Sequence, residues 1–251
     1  METITSRTNE RVKGTRALQR AKERKERGLH LAEGEKLVRE ALTSGCTVRE
    51  VYLEEGFGLG VPVPEGTELV TVTRPVMEVL CEAKTPQHAV AVVETPDTSL
   101  PGVWPEGLIV LLDCVQDPGN VGTVIRTADA LGASAVVLGT GTADPFSVKT
   151  IRASMGSSYH MPLYEGDIAE TLGALKKAGF TAVCGHLHGS ETLPETGKKC
   201  ALVIGNEGNG VSDAVADECV HYRLPMRGRA ESLNAAVAAA LLIDRFINQG
   251  E

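Results

Sequence analysis

The sequence predicts an α/β protein in two parts: a small α/β domain over residues 1–96, and a larger domain over 107–251 built on a parallel sheet, joined by a linker at 97–106. Three observations predict it. Short runs rich in Val, Ile and Leu alternate with helical stretches, the order that gives parallel strands with helices over both faces. The segment TPDTSLPGVWPEG at 95–107 carries three prolines and no hydrophobic period, the mark of a connection between domains. A chain of 251 residues, 42% hydrophobic and 23% charged, is long enough for one large or two modest cores.

The first part opens with a basic helix. From Arg7 to Arg27 nine Lys and Arg face three acids, a local +6 in a chain of net charge −8, which leaves −14 for the remainder. So acidic a chain is not a general nucleic-acid binder. Its arm nonetheless suits phosphates, through Arg7, Arg11, Lys13, Arg20, Arg24 and Arg27, with binding that weakens as salt rises. A solvated helix face is the alternative. A helix around GEKLVREALTSG, strands REVYLEE and ELVTVT, a helix RPVMEVLCEAK and a strand AVAVVET follow. Beyond the linker the strands are LIVLLDCV, AVVLG, TAVCGH, ALVIG and VHYRLP, with helices such as NVGTVIRTADALG and IAETLGALKKAGF between them. A ligand site in such a sheet lies at the carboxyl ends of the strands.

Three stretches place polar or glycine-rich residues directly behind a strand. In LIVLLDCVQDPGNVGTVIRTADALGA, Asp117 to Asn120 form a turn, Asn120 is positioned to cap the next helix, and Arg126 follows in its second turn. In LVIGNEGNGVS, glycines at 205, 208 and 210 allow close backbone approach around Glu207. This loop lacks the GK[ST] of a P-loop and the order of the dinucleotide fingerprint. In VHYRLPMRGRAESLNAAVAAALLIDRFINQG, Ser232 and Asn234 sit at a helix start, and the nine apolar residues 235–243 leave that helix no polar face. Cover on all sides then requires the protein's own sheet and a further surface, for which a symmetric partner helix is attractive and burial in the core of a single chain is the alternative.

Together, DPGNVGTVIRTADALGA, LVIGNEGNGVS and LPMRGRAESLNAAVAAALL resemble the three ordered motifs of the SpoU/TrmH family of RNA ribose 2′-O-methyltransferases, of the SPOUT class. ITSRTNERVKGTRAL and HLAEGEKLVREAL are similar to the small, ribosomal-protein-L30e-like α/β domain with which many of these enzymes bind substrate. The resemblance covers the whole chain. It implies a catalytic domain with a trefoil knot, S-adenosylmethionine as cofactor, RNA as substrate and a homodimer. By motif position it implies Ile204, Gly205, Leu224, Met226 and Leu233 around the cofactor, with Arg126, Asn120, Glu207, Ser232 and Asn234 as the catalytic set. A separate N-terminal domain favours 23S ribosomal RNA as target over transfer RNA. An RNA-binding protein that keeps the fold without catalysis is the competing class, and the intact polar motif residues count against it.

Other features carry less. Cys184, His186 and His188 in VCGHLHG lack a fourth zinc ligand, and the chemistry implied needs no metal. Six cysteines without a CxxC pair are expected to be reduced. No apolar run is long enough for a membrane span, and the polar METITSRTNERVKG is no signal core, so the cytoplasm is expected. Trp104, the sole tryptophan, is expected to pack between the domains.

Overall fold

The computed structural model describes residues 3–83 and 85–249. It divides into two compact units, Met1–Pro96 with Asp144–Tyr159, and Asp97–Ala143 with His160–Glu251.

In the first unit the basic arm is two helices, α1 (Glu10–Ala17) and α2 (Ala21–Arg27). Asn9 caps α1 by accepting from the Arg11 amide, and Gly28, at φ 61°, ends α2 in the left-handed conformation that glycine alone adopts without strain. The chain breaks between them because Leu18 turns into the core and Arg24 folds back to donate to the carbonyls of Leu18 and Gln19 at 3.0 and 2.8 Å. There follow β1 (Leu29–Glu33), α3 (Glu35–Thr43), β2 (Val48–Glu54), β3 (Glu68–Val72), α4 (Arg74–Leu80) and β4 (Ala89–Glu94). The sheet order is β1-β4-β2-β3, parallel only between β2 and β3. Leu18, Leu31, Tyr52, Met77 and Leu80 fill its core, joined by Val148 from the excursion at 144–159.

In the second unit β5 (Gly107–Leu112), α5 (Pro118–Leu131) and β6 (Ala135–Leu138) come first. The chain then leaves for the first unit, where it forms α6 (Val148–Ser154) and a 3-10 turn, and returns as β7 (Leu163–Glu165), α7 (Ile168–Lys177), β8 (Thr181–Ser190), β9 (Lys199–Ile204), α8 (Asp213–Ala216), β10 (Val220–Tyr222) and α9 (Ala235–Ile247). The sheet is wholly parallel in the order β10-β8-β9-β5-β6-β7. Its central strands β5, β9 and β6 are buried nearly end to end, as strands covered on both faces must be. Strands β6 and β7 are laid down on one side of β5 and β8 to β10 on the other, so the sheet's switch point lies between β5 and β9.

Several expectations are revised. Residues 144–159 pack with the first unit, held by Asp144 against Arg24 and by Phe146 and Tyr159 around the His30 ring. The proline-rich stretch after Pro96 belongs to the second unit: Glu165 donates its amide to the Thr98 carbonyl at 2.7 Å, and Trp104 packs edge-on against Tyr164 at 5.7 Å. Strand β1 and the short β7 carry too few alternations to stand out in the sequence.

Candidate active site

The three polar stretches converge. Asp117, not Asn120, caps α5: its carboxylate accepts the Asn120 amide at 2.8 Å, which makes Asn120 the third helical residue and puts Arg126 in the third turn. The Asn120 side chain is thereby free to bridge. Its Nδ2 donates to Glu207 Oε1 at 2.8 Å, and its Oδ1 accepts from Asn234 Nδ2 at 3.0 Å. Asn234 in turn caps α9, its Oδ1 accepting from the amides of Ala236 and Val237. One hydrogen-bonded chain, Asn234 to Asn120 to Glu207, thus ties the loops after β9, β5 and β10, with each amide's orientation fixed by its partners.

Glu207 is the anionic end. Burial works against its charged form, but the Asn120 amide and the Gln116 and Asp117 backbone amides outweigh that and hold its carboxyl below the usual range. No contact joins Glu207 to Arg126 among the described residues. Arg126 lies exposed on α5 without an ion pair among the described residues, six residues and so about 240° around the helix from Asn120.

The glycine loop is built on itself. Asn206 and Gly210 exchange both backbone hydrogen bonds at 2.9 Å, and the Asn206 side chain takes the amides of Gly208 and Asn209 while donating to the Cys114 carbonyl. A Cβ at Gly205 would lie 2.2 Å from Gly210 C and Val211 N. The glycine there is demanded by the returning limb of its own loop. Asp113 pins the far end, accepting from the Ser212 amide and hydroxyl at 2.8 Å. Asn206 and Asp113 therefore hold the site together, though only their position behind a buried strand marked them in the sequence.

Beside this loop lies a cavity of about 530 Å³, within the range of sites for nucleotide-sized ligands. Ile204, Gly205, Leu224, Met226 and Leu233, the five expected cofactor residues, all line it, as do Glu207 and Ser232. Apolar side chains from three segments and backbone groups of the glycine loop give the surfaces a purine needs. Its far wall is the end of β8, where Gly185 to Gly189 bulge between the pairings Cys184 with His221 and Ser190 with Tyr222. Burial first, and then the adjacent His221 and His188, lower the His186 pKa. Among the described residues no three His, Cys, Asp or Glu are arranged to hold a metal ion.

The basic arm differs from expectation. Arg7 pairs with Glu78, Lys13 with Glu10, Arg20 with Glu23, and Arg11 with both Glu50 and Glu68. Arg24, 7% exposed, is committed to Asp144 at 2.6 Å and is closed to an incoming phosphate. Arg27 is exposed and donates to the Gly14 carbonyl.

Fold and site together define an α/β protein with a nucleotide-sized cavity at the carboxyl ends of a parallel sheet, edged by an asparagine–glutamate chain. The chain belongs to the SpoU rRNA Methylase family, whose model matches residues 107–244, and residues 9–91 match the MRM3-like substrate binding domain. It is 37% identical over 247 residues, 97% of this chain and 98% of the other, to the 23S rRNA (guanosine(2553)-2′-O)-methyltransferase RlmP of Bacillus subtilis. Among solved structures it is similar to the AdoMet-bound rRNA methyltransferase of Sinorhizobium meliloti (TM-score 0.88, 34% identity, 100% of this chain and 98% of that one). It is also similar to the SpoU methyltransferase AviRb of Streptomyces viridochromogenes in complex with AdoMet (TM-score 0.84, 30% identity, 96% and 98%).

Proposed function

We propose that this protein transfers the methyl group of S-adenosylmethionine to a ribose 2′-hydroxyl of 23S ribosomal RNA. The observation that carries the reading is the chain Asn234–Asn120–Glu207 at a cavity lined by Ile204, Gly205, Leu224, Met226 and Leu233. The likeness to RlmP over both units supports ribosomal RNA as the substrate, and with it a cytoplasmic enzyme. The knotted path of the family belongs to the same reading. When bound, the cofactor supplies an electrophilic methyl carbon on its sulfonium.

The protein's own groups do the rest. Ile204, Leu224, Met226 and Leu233 grip the cofactor's apolar faces, and the loop backbone from Gly205 meets its polar edge. Asn120, Asn234 and Ser232 order the site, while Glu207 braces the glycine loop against the start of α5. Arg126 acts on charge: with a pKa above about 12 it is a poor base, so it holds a phosphate or the developing oxyanion while phosphate or water takes the hydroxyl proton.

The enzyme works as a homodimer in this reading. Val237 and Leu241, one turn apart on α9, are 50% and 45% exposed, and Leu233 before them is 39% exposed. The helix α5, which carries the exposed Arg126, packs against α9. A second copy seated on α9 covers this apolar stripe and brings Arg126 to the interface. Incubating the protein with unmodified 23S ribosomal RNA and methyl-labelled S-adenosylmethionine, then locating the label, tests the reading; the guanosine for which RlmP is named is the first position to examine.

A further inference from the structure

The segment that joins two walls of the cavity carries charge that the proposed reaction has not used. Met226 lines the cavity, and so do Glu231, Ser232 and Leu233. Between them Arg227, Gly228, Arg229 and Ala230 run exposed. Neither arginine makes a hydrogen bond or ion pair among the described residues. This sets them apart from most cations of the molecule: the basic arm is largely paired with its own acids, Arg223 faces Glu191 at 3.8 Å, and Arg245 bonds the Tyr222 hydroxyl. The cavity lining carries two carboxylates, Glu207, held ionised, and Glu231, against one cation, Arg223, which faces Glu191.

We propose that Arg227 and Arg229 are a phosphate clamp at the mouth of the cavity, holding two successive phosphates of the RNA strand that carries the target ribose. The inference rests on the methyltransferase reading and adds to it a second RNA contact, separate from the basic arm. Electrostatics divides the strand. Glu207 and Glu231 repel phosphates from the interior, while the two guanidinium groups attract them to the rim, so a ribose enters with its backbone outside. Spacing agrees: residues two apart are at most about 7 Å apart along the chain, the scale of one nucleotide step, and each guanidinium takes a phosphate through two parallel hydrogen bonds. Because Arg227 follows Met226 directly and Arg229 stands two residues before Glu231, a strand held there is tethered to the wall that faces the reacting ribose.

The test compares wild type with the paired variants Arg227→Gln/Arg229→Gln and Arg227→Lys/Arg229→Lys, using transcribed, unmodified 23S ribosomal RNA as probe. Fluorescence anisotropy across a salt series gives RNA affinity, and calorimetry gives S-adenosylmethionine affinity. The clamp requires the glutamine pair to lower the slope of log affinity against log salt by about 1.4, two phosphates at about 0.7 each for single strands. It also requires cofactor affinity to stay at the wild-type value and the lysine pair to keep the wild-type slope. An unchanged slope in the glutamine pair overturns it, as does a loss of cofactor affinity in either pair, which would make the segment a cofactor wall. Failure of wild type to transfer methyl while binding RNA would remove the methyltransferase reading and leave the slope comparison to decide the clamp by itself.

Discussion

Asn120 is the residue on which the site turns, because its amide is spent in both directions. Asn120→Ala takes a donor from Glu207 and an acceptor from Asn234 at once, and should lower single-turnover methyl transfer by about 10- to 100-fold with the fold intact, as loss of positioning does. Asn120→Asp should be worse than alanine, since a second carboxylate then faces Glu207 and raises its pKa. In the wild type the Glu207 carboxyl is held low, so its bracing bonds persist above the ordinary carboxylate range and fail only as pH falls through that lowered value. Rates between pH 6 and 9 should therefore show no step from Glu207. Arg126→Ala should leave cofactor affinity unchanged and cost about a hundredfold or more in rate, with little recovered by lysine. The members of this set were legible as residue types behind strands. Their partners were not: Asp117 takes the cap that Asn120 was expected to provide, and Gly205 is glycine because Gly210 and Val211 return against it.

At the scale of elements, α9 and β1 make separate demands. The run 235–243 was readable as a helix without a polar face, and the structure resolves it into a buried side of Ala235, Ala236, Ala239, Leu242 and Ile243 and an open one of Val237 and Leu241. Leu241→Glu should convert a dimeric mass to a monomeric one in sedimentation, and a wild type monomeric at micromolar concentration contradicts the proposed interface. Strand β1 places His30 in the core, where burial first and the nearby Arg24 second lower its pKa to about 3. The unfolded chain takes this proton near pH 6.5 and the folded one does not until about pH 3, so stability should fall as pH drops through that window, by at most about 1.4 kcal/mol per pH unit from this group. Urea denaturation at successive pH values reads it, and His30→Phe should flatten the slope. Neither β1 nor this histidine announced itself, because burial depends on the segment 144–159, far along the chain.

For the molecule as a whole, the sequence suggested a linear order of domain, linker and domain, and the contacts give two units, the first of which includes residues 144–159 from far along the chain. A composition count sees the +6 of the arm but not Glu50, Glu68, Glu78 and Asp144, which answer it from farther along the chain, so the cations open to phosphate are fewer than expected: Arg24 is structural, while Arg16, Lys25 and Arg27 stand exposed without an acidic partner among the described residues. Arg24→Gln should destabilise the first unit by about 1–3 kcal/mol, because it takes a donor from Asp144 and from the Leu18 and Gln19 carbonyls, whereas Arg20→Gln should cost less than about 1 kcal/mol. What ties both units to one activity is transfer to ribose, and the chemistry of the product reads it most directly. After incubation of unmodified 23S ribosomal RNA with the protein and methyl-labelled S-adenosylmethionine, alkaline hydrolysis cuts beside every free 2′-hydroxyl and spares a methylated one. The account predicts label in alkali-resistant dinucleotides, lost with Arg126→Ala; label recovered only in mononucleotides, as methylation of a base would give, or no label at all, contradicts it.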